Sequence, residues 1–424
     1  MASGGRYKWW LLLLLGAAYF LHQADRALFG LLTIPIQNDL GLSDVQIGWI
    51  NTALSWTIAV VTPLAGVLGN RLSGKWTITV SLVFWSLATM AMGFAGEWSV
   101  FGAALSSFAV VMMLRSLATG GGESFYGPAA MALIASHHTK TRSTAFSLHQ
   151  AALYLGLMSC GALSAAALGL LGSWRRVFVL FGLVGIALGA VFVFALKDGT
   201  KEAEERPMKA AGFLEALGAY FLNPSALLAT SGFVAIVFVN NAYLFWAPKF
   251  MAVKFNVDVG AAGRSAMFYH HLFAFAAIFA GGWITDLFVR RMPRFRLGFQ
   301  IASLLLGAPA IYLMGRASTM GGMIAMTAVY GVFRGLFEVN THASVFDVVP
   351  ANCRSSTVGF MLLLAFFFGG LSGVAMGALS DKYGVEGFEM GFAVMAFAYV
   401  VAAALMAVSF FFTFSRARCK LNSM

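Results

Sequence analysis

Charge is too scarce in this chain for water to be its main solvent. Of 424 residues, 60% are hydrophobic and 11% charged, whereas a soluble domain carries about 25% charged residues. A body of this size must therefore face lipid, where every backbone N–H and C=O has to be paired inside a helix or a closed barrel. The apolar runs extend over about 20–30 residues without strict alternation, which selects helices over strands. They divide into twelve spans: 9–32, 46–69, 76–95, 99–125, 144–171 and 174–196, then 225–250, 264–286, 296–315, 319–340, 355–380 and 388–414. The expected class is an all-α polytopic membrane protein.

The long polar interruption from Lys197 to Lys209 leaves six spans on each side. It sets the expected organisation: a six-helix bundle over 1–196, a connecting loop over 197–212 and a second six-helix bundle over 213–424. Gly212 to Phe221 is mostly apolar and is expected to lie along the membrane surface. Lys and Arg concentrate in loops on the side of the N-terminus, among them Arg6, Lys8, Arg71, Lys75, Lys140 and Arg142. Both termini are accordingly expected in the cytoplasm. The first apolar stretch runs on past Asp25 and Arg26 with no small-residue cleavage pattern, so it reads as a retained helix. The net charge of +11 is scattered over these loops, so topology accounts for it and no nucleic-acid partner is expected. Cys160, Cys353 and Cys419 are isolated, which argues against a disulfide framework or a metal site. Gly69 to Lys75 copies the spacing of a phosphate-binding loop, but Trp76 stands where the magnesium-binding hydroxyl belongs.

The two halves repeat one another. Gly66, Asn70 and Arg71 follow the second span as Gly282 and Asp286 follow the eighth. Arg115 corresponds to Arg334, and Arg142-Ser143 to Arg354-Ser355, at a nearly constant offset. Two homologous bundles place a binding site at the midplane between halves that rock against each other.

These residues resemble the major facilitator superfamily. Its signature is Gly, three residues, Asp, Arg, then a spacer leading to Gly and two basic residues. Here it reads Gly66, Asn70, Arg71, Ser73 and Lys75, and the second copy keeps Gly282, Asp286, Arg290 and Arg291. The resemblance implies that this loop gates the cytoplasmic side. Asn70 cannot form the usual charged latch with the eleventh helix, so a weaker outward-open state is expected. Within the superfamily the chain looks like the Spinster-like and anion:cation symporter branches. Asp25-Arg26 in the first span, and Arg115, Gly120-Gly-Gly-Glu123-Ser and Pro128 in the fourth, carry that likeness. It implies proton coupling by Asp25, Arg26 and Glu123. Those branches place the acid seven residues after the Arg, and here the gap is eight. Eight residues of α-helix would turn Glu123 about 80° away from Arg115. A wide turn at Gly120 to Gly122 is therefore predicted.

Asp25, Glu123 and Glu338 share the apolar spans with Arg26, Arg115 and Arg334. Each such charge costs at least about 2.5–3.5 kcal/mol at a helix centre, so each needs a partner or a function. Arg334 and Glu338 are spaced to pair on one helix face. The expected substrate-binding cavity collects Arg115, Asn240, Asn241, Tyr243, His270, Arg334, Glu338 and Asn340, with His149 and Gln150 as further polar candidates. His270 and His271 point in different directions, so only one of them can line the pathway. The many Phe and Met side chains read as packing and lipid-facing groups.

The expected function is secondary active transport: proton-coupled symport of a small organic anion, a carboxylate or sugar acid, by alternating access. The first alternative is a Spinster-like carrier of lysolipid or another amphiphile. Drug/proton antiport ranks lower, because Gly156 to Gly161 lacks the Gly-Pro pair of antiporters. An integral-membrane enzyme using His137, His138 or His149 as base ranks lowest, since no nucleophile or acid stands at a useful spacing; a non-transporting receptor ranks with it. No cofactor beyond the coupling proton is expected. The expected partners are an anionic small molecule and the bilayer, with the chain monomeric in a bacterial inner membrane. The gating-loop reading is tested by Asn70→Asp, which should shift the resting population toward the outward-open state. Labelling of engineered cysteines on the two membrane faces would report it, and an unchanged pattern would refute the weakened latch.

Overall fold

A computed structural model describes residues 3–69, 73–100, 103–138, 140–198 and 212–422. Twelve long helices follow one another: α1 (Ser3–Leu31), α2 (Asp44–Gly69), α3 (Gly74–Met92), α4 (107–137), α5 (Arg142–Leu171), α6 (Trp174–Ala195), α7 (Pro224–Phe255), α8 (Val259–Phe288), α9 (Phe295–Arg316), α10 (Met320–Phe346), α11 (Arg354–Tyr383) and α12 (Val385–Val408, continuing to Asn422). Among the described residues, nine helices are long and apolar enough to cross a membrane by length and composition alone. The three below that mark are α1, α3 and α4. Two of these carry charges within their length, Asp25 and Arg26 in α1 and Arg115 and Glu123 in α4, and α3 is rich in Ser and Thr.

Local chemistry sets the helix ends. Ser73, Ser106 and Thr319 cap α3, α4 and α10, accepting from the N–H of Trp76, Ala109 and Gly322. Asp198 reinforces the start of α3, accepting from Ser73 Oγ at 2.7 Å and from Lys75 N–H at 2.8 Å. Gly172 ends α5 with a φ of 66°, a left-handed conformation that glycine adopts without a Cβ clash.

The fourth span departs from its expected limits. Trp98–Val100 pairs antiparallel with Ala103–Leu105, Trp98 opposite Leu105, so α4 begins after the cap at Ser106 and runs on to His137. The span expected over 99–125 is therefore corrected: its first residues form a hairpin, and the helix starts later and runs further. The tenth span is interrupted at Val339 and Asn340 and resumes over Thr341–Phe346.

The chain divides into two compact units. The first holds Met1–Arg206, Leu244–Ala252 and Asn256–Phe268; the second holds Pro207–Tyr243, Val253–Phe255 and Tyr269–Met424. Within the first, Leu11, Leu15, Leu82, Trp85, Tyr126 and Ile134 belong to one buried core. Polar ties gather around the connection from α1 to α2: Arg175 and Trp174 Nε1 both donate to Asp39 Oδ2, at 2.9 and 3.0 Å. Lys249 pairs with Asp44 and donates to Gln37 Oε1 at 2.7 Å. Within the second unit, Lys254 bonds the Gly315 carbonyl at 2.6 Å and Glu389 at 2.8 Å. Arg296 binds both oxygens of Asp347 at 2.9 Å.

Small residues let the helices touch, as expected where lipid removes the hydrophobic drive for helix association. A Cβ on Gly182 of α6 would lie 2.6 Å from the Met90 nitrogen and from the Ser86 carbonyl of α3. Gly182→Val should therefore force α3 and α6 apart and destabilise the first unit by about 1–3 kcal/mol. Gly169→Ala, where nothing lies within 4 Å, should not. Thermal unfolding of the two purified variants checks this, and equal melting temperatures would contradict the close contact.

Candidate functional site

In the first unit, α1, α3 and α4 bring the expected coupling residues together. Asp25 is 2% exposed, and its Oδ2 accepts from Thr89 Oγ1 at 2.6 Å. Its other oxygen has no hydrogen-bond partner among the described residues. Arg115, also 2% exposed, donates from Nη2 to the backbone carbonyl of Arg26 at 2.5 Å. Its guanidinium lies 5.9 Å from the centre of the Phe29 ring. The bond anchors α4 to α1 beside the acid. Arg115 is within electrostatic reach of Asp25, and Arg115 and Arg26 are both within reach of Glu123.

The wide turn in α4 exists, one turn earlier than the glycines suggested. Met112–Thr119 is π-helical, and Gly120 onward is α-helical. Hydroxyls fasten this segment: Ser116 Oγ donates to the Ile50 carbonyl at 2.7 Å and Thr119 Oγ1 to the Leu114 carbonyl at 2.8 Å. Gly120 and Gly122 instead permit close packing, since Cβ atoms there would meet Leu54 Cδ1 at 2.7 Å and Phe84 Cδ1 at 2.9 Å. Two α-helical turns take about seven residues, and i→i+5 bonding adds one to a turn. The eight-residue gap thus returns Glu123 to the face of Arg115. Glu123 is 3% exposed. It precedes His137 by 14 residues (137 − 123), about 21 Å of helix rise, so it lies near the middle of α4.

Around Glu123 lies a cluster in which only His149 is among the expected polar candidates. His22 Nε2 is 3.7 Å from Glu123 Oε2, and His22 Nδ1 is 2.8 Å from Gln23 Nε2. Tyr126 donates to the Leu15 carbonyl at 2.5 Å and lies 3.0 Å from His149 Nε2. The Tyr19 ring stacks on His149 at 4.4 Å, and Trp85 meets His22 edge-on. Both oxygens of Glu123 lack a hydrogen-bond partner among the described residues. One signal was available: His22 precedes Asp25 by three residues and Arg26 by four, and so shares their side of the helix.

In the second unit, Arg334 of α10 pairs with Glu338 at 3.2 Å and lies 3.2 Å from His270 Nε2. The His270 ring stacks on Tyr330 at 4.7 Å and contacts Tyr243 at 4.7 Å. Asn340 donates to Thr285 Oγ1 at 2.9 Å, which ties the break in α10 to α8. Asn241 is buried, and Asn240 Oδ1 is buried without a hydrogen-bond partner among the described residues. Thus Tyr243, His270, Arg334 and Glu338 form one group, whereas Asn340 is held separately by α8.

Of the gating-loop residues, Asn70 and Arg71 lie outside the described residues. Gly66 is in the last turns of α2, and the Lys75 N–H is held by Asp198. In the second copy, a Cβ on Gly282 would meet Val339 Cγ2 at 3.6 Å, and Asp286 and Arg290 are exposed. Among the described residues, no group of three or more His, Cys, Asp or Glu could hold a metal ion.

Deleting Leu117, which is exposed, should convert the π segment to α-helix, keep Glu123 facing Arg115 and retain solute uptake. Inserting one alanine after Leu117 should turn Glu123 by about 100° and abolish uptake. Uptake by the two variants, expressed to equal levels, checks the register. Equal loss in both would refute it.

The sequence profile of the Major Facilitator Superfamily matches residues 15–374. The hexuronate transporter of Bacillus subtilis (strain 168) is 26% identical over 392 residues, covering 88% of each chain. Protein spinster of Drosophila melanogaster is 23% identical over 402 residues, 90% of this chain and 63% of that longer protein. The crystal structure of a bacterial homolog of the human lysosomal transporter Spinster, inward-facing and unoccupied, superposes with a TM-score of 0.80. It shares 20% identity, and 98% of each chain is covered. This all-α chain, with its twelve long helices and its acids and arginines buried within them, belongs to the Major Facilitator Superfamily and is an integral-membrane transporter rather than an enzyme.

Proposed function

We propose that this transporter moves a small organic anion, a carboxylate or sugar acid, in symport with protons by alternating access. The observation that carries the reading is Asp25: buried, held through one oxygen by Thr89, unbonded at the other, and within reach of Arg115. A carboxyl group so placed changes its proton occupancy when burial or the distance to the arginine changes. When Asp25, Glu123 and Glu338 carry protons, Arg26, Arg115 and Arg334 leave a positive surplus that favours an anion. Similarity to a hexuronate transporter supports the same substrate class. In this reading both termini are cytoplasmic, the membrane is a bacterial inner membrane, and the unit of transport is the monomer.

A second reading, transport of a lysolipid or another amphiphile, is favoured by the similarity to spinster. It would use the same Asp25, Arg26 and Glu123.

Vesicle uptake across a panel of carboxylates and lysolipids, with and without a pH gradient, separates the two. The first reading expects a carboxylate to accumulate when the gradient is imposed, and lysolipid-only uptake would overturn it. Asp25→Asn mimics the protonated form at nearly unchanged volume. It should retain exchange of labelled for unlabelled solute and lose accumulation driven by the gradient. Full gradient-driven accumulation in Asp25→Asn would remove Asp25 from coupling.

A further inference from the structure

The first unit carries a long apolar groove that the transport reading does not use. It lies between α1, α5 and α6, has a volume of about 900 Å³, and is lined wholly by apolar residues, among them Trp9, Leu13, Ala17, Leu155, Phe181 and Val184. Its α1 residues recur every three or four positions from Trp9 to Ala24, so one continuous face of that helix forms the wall. Small residues open it: Gly16 faces Ala152, where an added Cβ would stand 3.6 Å from the alanine methyl. The wall runs from Trp9 to Ala24, about 22 Å of rise. That is most of a hydrocarbon layer of about 30 Å.

The end of the groove at Trp9 is basic. Lys8 Nζ lies 5.4 Å from the Trp9 ring. Lys197 donates its backbone N–H to Tyr7 at 2.6 Å and holds its Nζ 5.3 Å from the Tyr7 ring. Arg142 opens α5 at the same end. The carboxylate beside Lys197, that of Asp198, is already bonded to Ser73 and Lys75.

We propose that this groove holds an acyl chain of an anionic membrane phospholipid, its phosphate at Lys8 and Lys197. An apolar cleft open to the bilayer gains dispersion contacts only when filled along its length, and a lipid tail is the apolar body present at highest concentration there. The basic mouth selects the headgroup: each Lys or Arg at the interface favours an anionic lipid. None of Asp25, Arg115 and Glu123 lines the groove. Its occupant is therefore a resident lipid, distinct from the transported solute, and the proposal stands whichever solute is carried.

The test uses the full-length protein in nanodiscs of equimolar phosphatidylglycerol and phosphatidylcholine, with native mass spectrometry of the lipid retained on release. Wild type should keep a phosphatidylglycerol in preference to phosphatidylcholine. Ala17→Phe, which fills the groove from an exposed position, should lose that lipid. Lys8→Gln should lower the headgroup preference about fivefold. If Ala17→Phe does not fold, Leu155→Trp fills the groove from the opposite wall, again from an exposed position. Equal retention of the two lipids by wild type, as for ordinary annular lipid, or unchanged retention in a folded groove-filling variant, would overturn the assignment.

Discussion

A charge inside a bilayer persists only where the protein supplies partners for it, and this constraint organises both halves of the molecule. In the first unit the partners come from three helices. Thr89 of α3 holds Asp25, and the backbone of α1 at Arg26 accepts from Arg115 of α4. In the second unit they come from two, with Arg334 between Glu338 on its own helix and His270 on α8. Hydrogen bonds to charged groups contribute about 1.5–3 kcal/mol each. The groups that transport would move are therefore also groups that hold the helices in register. A coupling residue of this kind is released only when its structural partners are exchanged for others.

Between these polar nodes the helices are joined by shape. Gly182 and Gly185 of α6 lie against α3, and Gly331 and Gly335 of α10 lie against α8 at His270 and Ala274. In each unit a glycine face brings one helix backbone onto its neighbour, and in the second unit this contact lies beside the node itself. Since packing rather than hydrophobic expulsion joins helices in lipid, these contacts fix distances such as that between Arg334 and His270.

Much of this was legible in the residues alone. Low charge and long apolar runs select twelve helices, and the cost of burying Asp25, Glu123 and Arg115 singles them out before any contact is known. What escaped depends on neighbours distant in sequence. The hairpin at Trp98–Val100 and Ala103–Leu105 reads as helix from the sequence because its composition is mostly apolar either way. Glycines mark places where a helix can deform, so the residues alone point to the triplet at Gly120 as the wide turn. The deformation is instead found where Ser116 and Thr119 reach carbonyls, while the glycines serve the contact with α2 and α3. The spacing of His22 from Asp25 places it on the side of α1 that carries the acid, but its meeting with Tyr126 of α4 and His149 of α5 comes from the packing of three helices, which no spacing within one helix reveals.

The π-helical segment of α4 bears on how this chain is compared with its relatives. An extra residue in a regular helix rotates everything after it by 100°, and most such insertions would scramble a buried face. Here the surplus is absorbed in one loosened turn, so the helix beyond Thr119 resumes the facing it would have had without it. Position-by-position comparison with a relative having the seven-residue interval would set Ser124, Tyr126 and Pro128 against the wrong partners. Equivalence of both Arg115 and Glu123 is recovered only if the gap is opened after Arg115 and before Gly120, within the π-helical segment, a place chosen by hydrogen-bond geometry rather than by residue similarity.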